Sequence, residues 1–124
     1  MKYIKTFEST ISTDIIITIP KSIKWEDYER ELLAAKNGAI MNFKVPFLPK
    51  NDIVGSKCYL CYNGYIIGYM NICGVSDKGF KCTTTGKQWD GKFIQRTGDF
   101  YKLEKPIQMK GFQGWIYLKK KKYY

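Results

Sequence analysis

The chain has 124 residues, 44% of them hydrophobic and 16% aromatic, which is enough to bury roughly two thirds of an unfolded surface in one core, so the expectation is one folded domain and not a disordered chain. Twenty-one Lys and Arg stand against 11 Asp and Glu, a formal charge of +10, and the absence of histidine excludes a nucleophile-histidine dyad. No run approaches the ~18 to 20 apolar residues that span a bilayer, and residues 1–12 lack the basic, apolar and small-residue succession of a leader, so the expectation is a cytoplasmic chain with no membrane contact.

In chain order, "MKYIKTF" and "DIIITIP" read as strands rich in β-branched residues, the second ended by Pro20. A helix follows, with Ser22 as its expected N-cap, Glu26 and Asp27 placing negative charge near the first turn, and Asn37-Gly38 as the stop. Trp25, Tyr28, Leu32 and Ala35 share one side of it at helical spacing and should cover one face or one open end of a sheet. "AIMNFKV" is the next strand, closed by Pro46 and Pro49 in the loop "PFLPKND".

The strongest local signal is "KCYLCY-NG-YIIGYMNICGV", two β-rich runs joined by Asn63-Gly64, the pair favoured where both central turn residues need positive φ. Both faces of this hairpin are apolar or aromatic, which implies strands inside a well-covered sheet, and Gly68 marks a bend or a close backbone approach. A turn at Asp77 to Gly79 leads to "FKCTTT"; short strands are expected around Phe93 to Arg96 and Phe100 to Leu103, and a last one at "GWIYL". Many short strands with one good helix imply the α+β class: a small, strongly curved mixed β-barrel with one main N-terminal helix, a single domain over residues 1–118 and a basic tail over 119–124.

The four cysteines, Cys58, Cys61, Cys73 and Cys82, are expected to be reduced. Cys58 and Cys61 form a CxxC, but "KCYLCY" reads as a strand that sends them to opposite faces, unlike the tight turn of a zinc knuckle. They are read as buried apolar thiols, and no metal or cofactor is expected.

The element "VGSKCYLCYNGYIIGYMNICGV", a small-residue entry, a strand, a tight turn and a strand that carries a glycine, resembles the central hairpin of PUA-like barrels, the superfamily of the PUA, ASCH, EVE and YTH groups; the element order matches over roughly residues 39–118. The resemblance implies a module that binds RNA or DNA and, as in some EVE and YTH members, holds a modified base in an aromatic-lined pocket. A few ASCH relatives are small amidohydrolases of modified nucleosides; their glycine followed closely by lysine, glutamate and arginine is not matched, since "NGAIMNFKVPF" offers Lys44 without a nearby glutamate.

Residue types point the same way. Of the net charge, +7 of +10 lies in residues 91–124, which hold nine Lys or Arg against Asp99 and Glu104, with Lys119 to Lys122 consecutive; a field of that sign favours polyanions. Within "TTTGKQWDGKFIQRTG", Thr83, Thr84 and Thr85 offer hydroxyls to phosphates, Lys87, Lys92 and Arg96 offer charge, and Trp89 offers either a stacking face or a plug for one barrel end. In "PIQMKGFQGWIYL", Lys110, Phe112, Gln113 and Trp115 combine charge, an amide and aromatics, as a reader of a base edge or as the closure of the core. Trp25 would complete an aromatic trio with Trp89 and Trp115.

Three functions follow: a nucleic-acid-binding module for a modified or unpaired base; an interaction or inhibitor protein of mobile-element type, with its basic face against an acidic protein; and a nucleoside amidohydrolase, for which Asp90 and Lys44 are the residues to test.

Overall fold

In the computed structural model, which describes residues 13–50, 52–81, 86–112 and 114–118, the isoleucine run Ile15–Thr18 forms β1 inside a six-stranded sheet. The elements follow as α1 (Trp25–Lys36), β2 (Met41–Val45), β3 (Lys57–Tyr62), β4 (Tyr65–Ser76), β5 (Phe80–Lys81), β6 (Gln88–Trp89), β7 (Lys92–Gln108) and β8 (Trp115–Tyr117). The sheet order is β2-β7-β4-β3-β1-β8, and β5 pairs with β6 in a separate ribbon. Only the β1–β3 pair is parallel, as its connection through α1 and β2 permits; the other pairs are antiparallel, and the sheet curls into a half-barrel. This is the expected α+β class with a curled mixed sheet. The first proposed strand, "MKYIKTF", and the basic tail 119–124 lie outside the described residues.

Register breaks between β4 and β7 produce the curl. Tyr69 pairs with Tyr101 and Asn71 with Thr97, so Gly98, Asp99 and Phe100 stand opposite Met70 alone, with Gly98 at φ +89° taking the backbone around the bend. In sequence, "TGD" looked like a gap between two short strands. The structure corrects this to one strand of 17 residues, because β4 supplies a partner on both sides of the bulge. Phe100 turns inward over Gly68: a Cβ built at Gly68 would lie 2.6 Å from the Phe100 ring and collide with the Tyr101 carbonyl oxygen. The close approach expected of Gly68 is therefore real.

Helix α1 covers the inner face of the sheet. Tyr28, Leu32 and Ala35 are buried on it and join Ile15, Ile17, Cys58, Leu60, Met70, Ile72 and Ile94 in the main core, with Trp25 packed at its margin. The helix starts differently from expectation: Lys24 is the N-cap and makes no side-chain cap bond, while Ser22 sits in the preceding turn, closed by the Ile23 amide donating to the Pro20 carbonyl at 3.1 Å. The stop is as expected, with Asn37 at the C-cap and Gly38 at φ +104°. Asn63 (φ 53°) and Gly64 (φ 87°) likewise make the turn between β3 and β4.

The sheet's two edges meet without a strand ladder. Trp115, at the start of β8, is buried; its indole Nε1–H donates to the Phe47 carbonyl at 2.9 Å, just past β2, and its ring lies 5.5 Å from that of Phe47. Cys58 faces the main core, while Cys61 faces a smaller cluster on the outer side with Ile16 and Ile66, so the two sulfurs point apart as the strand reading required.

Two outcomes follow from this packing. Gly68→Ala should lower unfolding free energy by about 1–3 kcal/mol, read from urea midpoints, because the crowding atoms include backbone. Burial pushes the Cys58 thiol up from 9.0 to about 11. Between those values the unfolded state loses a proton that the folded state keeps, so stability should fall on going from pH 9 to pH 11, by roughly 2–3 kcal/mol from this thiol. Burial raises the Tyr28 phenol too, adding a loss of the same sign. A Cys58→Ala variant should show a shallower decline over that window in urea titrations, whatever its absolute stability.

Candidate nucleic-acid interface

The sequence candidates scatter across the fold. Thr83, Thr84, Thr85 and Gln113 lie outside the described residues. Lys87, Lys92 and Lys110 are exposed, and Trp89 occupies β6 opposite Phe80 of β5. The β5–β6 ribbon is tied to the sheet where the Gly79 amide donates to the Gly91 carbonyl at 3.1 Å and the Lys44 side chain crosses over Gly91.

The aromatic trio does not form from its two tryptophans with described side chains. Trp25 packs with Tyr28, Tyr62 and Phe100, at ring separations of 5.8, 5.2 and 6.4 Å, at the helix end of the core. Trp115 packs with Phe47 and Tyr117 at the clasp between sheet edges. Trp115 has its indole N–H engaged and its ring enclosed, so the base-edge reading of this residue gives way to core closure. Phe112 packs against the outer cluster of Ile16, Cys61 and Ile66, its amide donating to the Thr18 hydroxyl at 3.2 Å, which holds the 109–112 segment on the sheet's outer side with Lys110 exposed.

Arg96 departs most from expectation. A phosphate contact requires solvent access, yet Arg96 is 2% exposed. Its position on β7, on the same face as Ile94, carries it under α1, where Nη1–H donates to the Tyr28 hydroxyl at 2.9 Å and Nε–H has no acceptor. Burial keeps the Tyr28 phenol and the Cys58 thiol protonated at neutral pH, so neither neighbour cancels the guanidinium charge. Among the described residues, the one ion pair joins Arg30 to Asp27 on the exposed side of α1.

A different set of residues gathers on the outer face. Tyr59, Tyr69 and Tyr101 are cross-strand neighbours on β3, β4 and β7 and form one row. Ring centroids are 5.4 Å apart between Tyr59 and Tyr69 and 4.9 Å between Tyr69 and Tyr101, the latter pair stacked with an interplanar angle of 23°. Lys57 places its ammonium 4.8 Å from the Tyr69 centroid, a cation held over a ring. Tyr101, at the end of the row, is 43% exposed. Tyr59 also borders the outer cluster on which Phe112 packs, which brings the second sequence candidate to the same side of the sheet. The outer face is thus only partly covered among the described residues, contrary to the expectation of a sheet covered on both sides.

The row depends on a bulge. Counting outward from the turn, Tyr62 pairs with Tyr65 and Cys61 with Ile66; continued without interruption, this register would put Tyr59 opposite Gly68. The shift between Leu60 and Cys61 moves Tyr59 opposite Tyr69. The alternation of Tyr59 with Cys58 and Leu60 was the available signal for an outward tyrosine, but not for its partner. Comparison with family models, curated proteins and solved structures returned no match to this chain, so the PUA-like resemblance is carried by its residues alone.

Proposed function

We propose that this protein is a nucleic-acid-binding module of PUA-like type that takes unpaired bases on the tyrosine row of its outer face. The observation that carries this reading is the Tyr59-Tyr69-Tyr101 row with Lys57 beside it, on a chain of net charge +10. Aromatic residues on a sheet surface are a base-stacking platform that tolerates any sequence, since every base has a π-face. In this row Tyr69 stacks on Tyr101, and the exposed Tyr101 is the end at which a base can join the stack. Positive charge supplies phosphate affinity without sequence information, and it is offered by the exposed Lys57 over the Tyr69 ring and the exposed Lys110 in the Phe112 segment. Selection for a modified base would be a refinement of the same stacking contact.

Anisotropy titration of labelled single-stranded RNA, single-stranded DNA and duplex DNA tests this. Tyr101→Ala is expected to weaken binding of the preferred single strand by about 5- to 150-fold, the equivalent of ~1–3 kcal/mol for one stacked base, with an unchanged circular dichroism spectrum. Log affinity should fall with log salt at roughly −0.7 per phosphate contacted, and Lys57→Gln should reduce that slope by about one contact. Absence of binding to any of the three polymers at low salt, or full affinity in Tyr101→Ala, would remove the proposal and turn the search to an acidic protein partner.

A further inference from the structure

On the inner side of the sheet, away from the tyrosine row, a cavity of about 530 Å³ opens between α1, the 19–23 turn, β2 and β7. That volume suits a small organic molecule. Its walls are largely apolar, including Ile19, Ile23, Met41, Phe43 and Phe93. Arg96 lines it too, with Tyr28 beside it. Two exposed side chains, Glu31 and Lys44, also line the cavity; Glu31 acts on the Arg96 guanidinium at a distance without pairing with it, and Lys44 extends over Gly91.

A guanidinium this deeply buried is costly unless an anion meets it, and breaking such a pair costs far more than never forming it. Here the partner expected of a structural ion pair is missing: no carboxylate lies within pairing distance of Arg96 among the described residues, and Tyr28 satisfies one terminal nitrogen only. The unsatisfied donor is Nε–H. A guanidinium presents Nε–H and one terminal N–H along a single edge, spaced to be accepted side by side by two oxygens of one carboxylate or phosphate.

We infer that this cavity is a binding site for a small organic acid, in which a carboxylate or phosphate pairs with the open edge of Arg96 and an apolar or planar body fills the space between α1 and β2. The site is separate from the tyrosine row and stands whether or not that row binds nucleic acid. Tyr28 is the positioning residue: its hydroxyl holds one side of the guanidinium so that the other faces the ligand. Uncharged analogues leave the buried donor unpaired and bind more weakly.

Differential scanning fluorimetry of the full chain with four probes tests this: benzoate and adenosine 5′-monophosphate as acids, benzamide and adenosine as their uncharged counterparts. An acid at about a hundredfold excess over its Kd should raise Tm on the order of 10 °C, with little change from its counterpart. A response to benzoate alone assigns a carboxylate ligand, and a response to the nucleotide alone a phosphate. The Arg96 Nε–H resonance in a proton–nitrogen NMR spectrum should move downfield on saturation with the active acid. Arg96→Met should abolish the Tm shift. No Tm shift with either acid in the wild type, an Arg96 Nε–H signal that stays in place at saturation, or an undiminished shift in Arg96→Met would each overturn the assignment. The NMR readout uses the wild-type chain and so decides the question even where Arg96→Met fails to fold.

Discussion

The register breaks between β7 and β4, where Gly98, Asp99 and Phe100 face Met70 and residues 103–106 face Ile67, set the shape of this molecule. A regular antiparallel ladder keeps two strands in step and the sheet nearly straight; extra residues on one strand force it to bend and increase its twist. By lengthening β7 against β4, these bulges curl the sheet toward α1, and the one ending at Phe100 swings its ring inward over the bare backbone of Gly68. With the sheet curled, the sequence-distant edges β2 and β8 come close enough for Trp115 to reach the Phe47 carbonyl. The inner face then becomes a concave bed for the apolar side of α1.

That curl produces two unlike faces. Inside, the apolar packing of α1 on the sheet encloses Arg96, whose guanidinium has a hydrogen bond to Tyr28, an unpartnered Nε–H and no paired carboxylate among the described residues. Hydrophobic side chains of similar volume at such a site are commonly as stable or more stable, so an unpaired buried arginine is not explained by stability. Outside, the same strands send every second residue outward, and the tyrosines of β3, β4 and β7 meet there as neighbours. The outer face has its own small cluster around Ile16, Cys61 and Ile66, which anchors Phe112 and keeps part of that face dry.

Local chemistry was legible where a residue type has one dominant conformational use. Asn63-Gly64 announced its turn because few other pairs accept positive φ at both positions. The buried side of α1 followed from helical spacing, the stop at Asn37-Gly38 from capping preference, and the divergence of Cys58 and Cys61 from strand alternation. The helix start was misread because Ser22 is an apt cap by type, whereas the turn closing at Pro20 places Lys24 there instead. Arg96 was misread for a related reason: a cation in "KFIQRTG" looks solvated, and its alternation with Ile94 carries weight only once α1 is known to lie over that face.

The amino-acid sequence by itself determined the class of fold, one helix against a curved sheet, the central hairpin, and a strong positive field. These are set by short-range sterics, hydrophobic periodicity and charge count, all written within a few residues of one another. Tertiary structure alone decided the sheet order, the continuity of β7, the row of Tyr59, Tyr69 and Tyr101, and the burial of Arg96 beside Tyr28. Each of these depends on a bulge or on contact between elements far apart in the chain. One residue of slippage moves every side chain beyond it to a new partner, and no local pattern records where that slip occurs.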